Sequence, residues 1–222
     1  MGSEKPPAVE LAVYGAGGMG QEIVDLALSL GGDWKVVGIV DDSPRLSGAT
    51  VLGVPVVGGR EWLGGRAVSV ALGVGSPAAR RRLWAELSSV GGLDMPALIH
   101  PTAHVGLGCS VGPGSVVAAG AVLTADVSLG RCVIVNAGAT VSHNSRLADF
   151  ATVAPGAHLA GNTTVGEGAD IGIGASLVQG LTVGAWSVVG AGAVVIDDVA
   201  DNTTVVGCPA KAIATREAGW HL

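Results

Sequence analysis

Val135-Asn-Ala-Gly-Ala-Thr-Val141-Ser-His-Asn-Ser-Arg-Leu147-Ala-Asp-Phe-Ala-Thr-Val153-Ala-Pro-Gly-Ala-His-Leu159-Ala-Gly-Asn-Thr-Thr-Val165 sets an aliphatic side chain at every sixth position. The count extends in both directions, from Ile99 to Val195, through seventeen aliphatic positions without an insertion. A second column, stepping by six from Ala103 through Cys109, Ser115, Ala121, Ala139 and Ala157, is nearly all small. Glycine often follows the aliphatic, as at Gly106, Gly130 and Gly190. A period of six fits neither a helix nor a long alternating strand, so it signals a solenoid. Each hexad reads as a short strand and a corner, with the aliphatic inward, the small residue in the crowded corner and glycine supplying the backbone angles of the turn. Three hexads closing a triangle make each coil about 18 residues, stacked on the next by parallel pairing.

This pattern resembles the hexapeptide-repeat, left-handed parallel β-helix of acyltransferases. Parallel crossovers are otherwise right-handed, so the handedness is implied by the resemblance, whereas the repeat alone establishes a solenoid. The expected fold is an α/β N-terminal domain with a short Rossmann-like parallel sheet, followed by an all-β left-handed β-helix. The expected boundaries are 8–95 for the first domain, 96–205 for the β-helix and 206–222 for a tail capping its end.

The whole chain narrows the function classes. Its 222 residues suit one large domain or two small ones, and abundant glycine with few aromatics suits a crowded repeat. A net charge of −6 without a basic cluster argues against nucleic acid as the main partner. No run of eighteen apolar residues exists, so no membrane span is expected, and Met1–Pro7 reads as a loose polar end without the apolar core of a signal peptide. Cys109, Cys132 and Cys208 show no CxxC spacing and read as reduced thiols, which places the chain in the cytoplasm.

Upstream of the repeat, the apolar strand Val9–Tyr14 runs into Gly15-Ala-Gly17-Gly18-Met-Gly20, a GxGxxG spacing. A helix follows with Ile23, Leu26, Ala27 and Leu30 on one face, stopped by Gly31-Gly32. A second strand, Val36–Val40, ends in Asp41-Asp42. Such a β-loop-α-β unit fits a nucleotide: glycines admit a phosphate to the backbone, free N–H groups at the helix start donate to it, and Asp41 or Asp42 can accept from a ribose or a base edge. A tight structural turn is the plainer alternative. Val68–Leu72 reads as a strand, and Ser76-Pro77 starts a helix through about Ser89. Arg80-Arg81-Arg82 on that helix are expected on a solvated face, with a phosphate grip as the alternative. A β-helix leaves open strand edges at both ends. The N-terminal domain and the tail after Val195, where Asp201 breaks the phase, are the expected covers. Burial of the repeat's aliphatics falls short of the cost of ordering the coil, so an oligomer is expected.

Among the five histidines, His100, His104 and His158 adjoin inward aliphatics, His221 lies in the tail, and His143 sits at a corner in Val141-Ser-His-Asn-Ser145. No two have the spacing of five seen in solenoid carbonic anhydrases, so no metal is expected. Taken together, the Val13–Gly20 loop, Asp41-Asp42, the Leu98-Ile-His-Pro-Thr102 junction, the unbroken hexads and the Val206-Gly-Cys-Pro-Ala-Lys211 tail resemble the sugar acyltransferases of the bacillosamine N-acetyltransferase and sialic-acid O-acetyltransferase type, a group that includes GDP-perosamine N-acetyltransferases. The resemblance covers about Leu11 to Ile213. It implies His143 as general base, Asn136 in contact with the reacting groups, and the Ala160-Gly161-Asn162 turn holding the thioester oxygen through a backbone amide. It further implies Ile173, Gly190 and Ala191 along the pantetheine arm between subunits, and the nucleotide on Gly15, Gly17, Gly18, Asp41 and Asp42. Asn144 stands where family members commonly carry Glu or Asp; it can orient the histidine but adds no charge. The implied reaction is acetyl-CoA-dependent N-acetylation of a nucleotide-linked amino sugar by a homotrimer. The alternatives are sugar O-acetylation and non-catalytic nucleotide-sugar binding.

Overall fold

The computed structural model describes residues 8–221; the expected loose end Met1–Pro7 lies outside the described residues, as does Leu222. The chain packs as two compact units, one running to Gly75 and including Leu83–Pro96, the other comprising Ser76–Arg82 and everything from Ala97.

In the first unit, β1 (Val9–Tyr14), α1 (Gly18–Ser29), β2 (Trp34–Val40), β3 (Thr50–Val51), β4 (Val54–Gly58) and β5 (Ser69–Leu72) are followed by α2 (Pro77–Ser88), which straddles the two units. The sheet order is β3-β4-β2-β1-β5, parallel except where β3 meets β4. Leu11, Ala12 and Val13 of β1, which lies between β2 and β5, are fully buried, which is why the strand is apolar from Leu11 onward while Val9 and Glu10 at its start are exposed. α1 buries Ile23, Val24, Leu26 and Ala27; Leu30, expected on the inward face, is instead the half-buried C-cap. The β3–β4 hairpin has no counterpart in the sequence reading. Its two-residue turn, Leu52-Gly53, puts both residues at positive φ, the twist that tight hairpins prefer.

The second unit is the β-helix. Two-residue strands recur from Leu98–Ile99 to Val194–Val195 and assemble into three sheets, each pairing residues eighteen apart in parallel, such as Thr140 with His158 and Val141 with Leu159. The second residue of each strand points inward, and Val141, Val165 and Val183 are fully buried in one continuous core. Ile99 departs from expectation: it is 36% exposed, because in the first coil an inward side chain has a neighbouring coil on one side only. At the far end Thr203–Val206 joins one sheet in parallel, and Lys211–Thr215 closes on it antiparallel.

Two kinds of corner glycine have different causes, and the sequence reading merged them. The left-handed backbone slot falls at every residue number divisible by six from 108 to 192. Glycine fills nine of these fifteen positions and Asp126, Asn144 and Asn162 fill three, the residue types that tolerate that conformation at least cost. The glycines directly after the aliphatic are not in that region. A Cβ at Gly112, Gly166 or Gly172 would instead run into the backbone of the next coil, so close stacking, not turn geometry, selects them.

Arg80 is neither a solvated cation nor a phosphate grip. It is 1% exposed, and it donates to the carbonyls of Cys132 (3.0 Å) and Phe150 (2.6 Å) and to the Thr152 hydroxyl (2.8 Å). Burial pushes its guanidinium down to about 10, so it remains charged at neutral pH. Cys132 and Phe150 both occupy the left-handed slot. Arg81 does lie half exposed, paired with Glu167 at 3.3 Å.

Leu159→Ala should lower stability by about 2–5 kcal/mol, the usual cost of a truncated core leucine. Thr164→Ala, on an outward slot of the next strand, should stay within about 0.5 kcal/mol of wild type in the same denaturant titration.

Candidate active site

The corner after the first five of the six strands of the six-stranded sheet repeats one backbone path, and His143 stands at its second position in the Val141 coil. Its imidazole is exposed, and Asn144, in the left-handed slot, places its carboxamide nitrogen 3.2 Å from Nδ1. The carbonyl of His143 accepts the Asn162 N–H at 2.8 Å, which locks this corner onto the one eighteen residues further along. That next corner is Ala160-Gly161-Asn162. Thr163 Oγ1 donates to the Ala160 carbonyl at 2.7 Å, while the Gly161 N–H has no acceptor among the described residues. The structure thus brings four of the expected residues together: His143, Asn144, Ala160 and Gly161.

It does not bring Asn136 to them within one chain. Asn136, Ile173, Gly190 and Ala191 lie on a different corner, the one after the strands of the eight-stranded sheet. The strand Thr140–Val141 separates the two corners. Asn136 Oδ1 accepts the Ala137 N–H at 2.7 Å, and Ile173 is strongly exposed. Of the other histidines, His158 Nδ1 lies 2.9 Å from Thr140 Oγ1, His100 engages Thr102, and His221 stacks on Trp186 with ring centroids 3.6 Å apart. Among the described residues no group of three His, Cys, Asp or Glu could hold a metal ion, and no helix is long and apolar enough to cross a membrane.

In the α/β unit the glycines of the loop divide by role. A Cβ at Gly15 would come within 2.7 Å of the Gly73 carbonyl, and one at Gly20 would strike the Gly15 carbonyl, so these two serve the close packing of the loop. Gly17, the N-cap of α1, and Gly18 face open space. Asp41 holds the loop from the other side: one carboxylate oxygen accepts the Ala16 N–H and the other the Ser43 N–H, both at 2.9 Å. Asp42 accepts from the Tyr14 hydroxyl at 2.5 Å and from the Arg60 guanidinium at 2.8 Å, and Arg60 also reaches Glu86 at 2.8 Å. The Arg60 guanidinium, aided by the Tyr14 hydroxyl, holds the Asp42 carboxyl down at about 2, and burial together with Asp42 pushes the Tyr14 phenol up. A recess of about 270 Å³ opens beside Asp41, Asp42, Ser43, Ser47 and Glu61. Sequence reasoning missed Tyr14, Arg60 and Glu86. Tyr14 adjoins the glycine loop and was within reach, but nothing local marks Arg60.

Comparison with known proteins agrees with both units. Residues 10–87 match the model of the PglD N-terminal domain. The acetyltransferase domain of PglB from Neisseria gonorrhoeae is 40% identical over 92% of this chain and 99% of its own, with a TM-score of 0.85, and it is also known in complex with acetyl coenzyme A. PerB from Caulobacter crescentus, solved with CoA and GDP-perosamine, is 32% identical over 92% of this chain and 97% of its own, with a TM-score of 0.81. WeeI from Acinetobacter baumannii is 28% identical over 93% of this chain and 100% of its own, with a TM-score of 0.85. No curated protein sequence matches the chain. Fold and likeness together define a hexapeptide-repeat acyltransferase with a left-handed β-helix. Within that class, the chain belongs to the sugar N-acetyltransferase family of the bacillosamine and perosamine type.

The folded Asp42 carboxyl ionises at about 2, below its ordinary 3.8. Its contribution to stability is therefore complete above about pH 5 and is lost as the pH falls through that interval. The unfolding midpoint of Asp42→Asn should accordingly vary less between about pH 5 and 2 than that of the wild type, measured by circular dichroism.

Proposed function

We propose that the protein transfers the acetyl group of acetyl-CoA directly to the amine of a nucleotide-linked amino sugar, with His143 as general base. The observation that carries this reading is the exposed His143 imidazole lying against the Gly161 turn, whose N–H is unbonded within the chain. The neutral amine attacks the thioester carbonyl, and as the C–N bond forms Nε2 takes the amine's proton. Charge gathering on the carbonyl oxygen is met by the Gly161 N–H. Collapse of the adduct breaks the C–S bond, and the imidazolium returns the proton to the departing CoA thiolate.

This role fixes the Asn144 amide. A base at Nε2 needs its proton on Nδ1, so Asn144 turns Oδ1 rather than Nδ2 toward Nδ1, a half-turn that leaves its position unchanged. Asn144 then orients the ring and its tautomer as a carboxylate would, without the charge.

The separation of Asn136, Ile173, Gly190 and Ala191 from the His143 corner supports a site shared between chains. A homotrimer would set the first corner of one β-helix beside the second corner of its neighbour, and acetyl-CoA would lie between them. The nucleotide would take Gly17 and Gly18, where the backbone faces open space, with Asp41 and Asp42 beyond them. A reaction between acetyl-CoA and a nucleotide sugar belongs in the cytoplasm.

His143→Ala should lower kcat by roughly 10²–10⁴, the usual worth of a positioned base, with acetyl-CoA binding by calorimetry nearly unchanged. Retention of most activity would end the base assignment, and His158 would be tested next. Asn144→Asp, which adds a negative charge beside the ring, should move the ascending limb of the kcat/KM pH profile to higher pH. Sedimentation at assay concentration should show the active species as a trimer; an active monomer would contradict the shared site.

A further inference from the structure

The second position of the His143 corner recurs every eighteen residues as Leu107, Ala125, His143, Gly161 and Gln179. None of the five has a left-handed backbone. The path therefore accepts a leucine, an alanine, a histidine and a glutamine in successive coils, and nothing in its geometry calls for glycine at 161. What does is the neighbouring coil. A Cβ built on Gly161 would lie 2.5 Å from His143 Nε2 and 2.9 Å from Nδ1, closer still to Cε1, and it would meet nothing else nearer. Atoms that are not bonded to one another do not approach so closely, so the ring would have to leave its place. The imidazole occupies the volume where every other residue of this column carries a side chain, and it buries Gly161 beneath it.

We infer that Gly161 is a positioning residue for His143: the missing side chain at 161 is the seat on which the imidazole rests. This rests on the general-base reading and goes beyond it, since the role belongs to the absent Cβ and not to the amide. With Asn144 engaging Nδ1 from its edge and Gly161 supporting the ring, only small rotations remain to it. Rotation about χ1 to clear a methyl group would carry Nε2 away from the Gly161 N–H, and with it the relation between proton acceptor and oxyanion donor. A displacement of about 1 Å is enough to cost two orders of magnitude.

Gly161→Ala keeps the backbone amide and adds only the methyl group. The expected result is a kcat lowered by roughly 10- to 100-fold, with the KM for the nucleotide sugar near wild type and the His143 ring resonances of histidine-labelled protein displaced. Added to His143→Ala, the same substitution should cost almost nothing more, because its effect passes through the ring. Unmoved ring resonances would overturn the proposal. So would a full additional loss in the His143→Ala background, which would mean that the methyl group blocks the thioester itself. A Gly161→Ala chain that fails to fold would also overturn it, since Ala125 already occupies this slot. The general-base reading fails separately: it falls if His143→Ala is active, whatever the ring resonances of Gly161→Ala show.

Discussion

The constraint on which the structure depends is the eighteen-residue register of the coil. Once a turn closes in three hexads, every residue is stacked on the residue eighteen positions away, both inside, where Val141 pairs with Leu159, and outside, where His143 meets Gly161. Buried aliphatics set this register, since slipping one residue would turn every inward side chain to the outside. The core that stabilises the β-helix therefore also fixes the chemistry at its corners. A side chain there inherits its scaffold from the coil, and the residue one coil away lies against it, as Gly161 does against the His143 ring.

The same stacking creates a recurrent polar problem. A corner turns the backbone out of the ladder, so its carbonyls need partners from elsewhere. In the left-handed slot of the Cys132 and Phe150 coils the partner is Arg80, a buried cation brought in by the first turn of α2. Its several donors suit a cluster of carbonyls better than a single lysine nitrogen would. Buried charge is costly when unpaired and acceptable when each donor is used.

In the α/β unit the two adjacent acids divide their work. Asp41 spends both oxygens on backbone N–H groups, shaping the glycine loop and the turn after β2. Asp42 reaches sideways into a chain of Tyr14, Arg60 and Glu86. An acidic pair at a strand end thus proves to be a structural device in its own right. Both Asp41 oxygens and Asp42 Oδ1 accept one hydrogen bond each and retain a lone pair, whereas Asp42 Oδ2 is fully used by Tyr14 and Arg60.

The sequence by itself determined a solenoid of short strands, because a period of six maintained through seventeen aliphatics fits neither a helix nor a long strand and each hexad is a local unit; its left hand was implied by the resemblance. It also determined the β-loop-α-β start, written in a short spacing, whereas His143 and Asn144 were set apart from the other histidines and their neighbours by the family resemblance alone. The pairing of His143 with Gly161 was within reach as well, since 143 and 161 differ by one coil. Tertiary structure alone decided the rest. Arg80 reads as one of three surface cations because charge in a helix is usually solvated; only packing against the coil reveals the carbonyls it meets. Arg60 lies eighteen residues from Asp42 without any periodic marker, and the β3–β4 hairpin that precedes it is too short to announce itself. The two classes of corner glycine look identical in sequence. Backbone torsion separates one class and the nearness of the next coil the other, and neither exists until the chain has closed on itself.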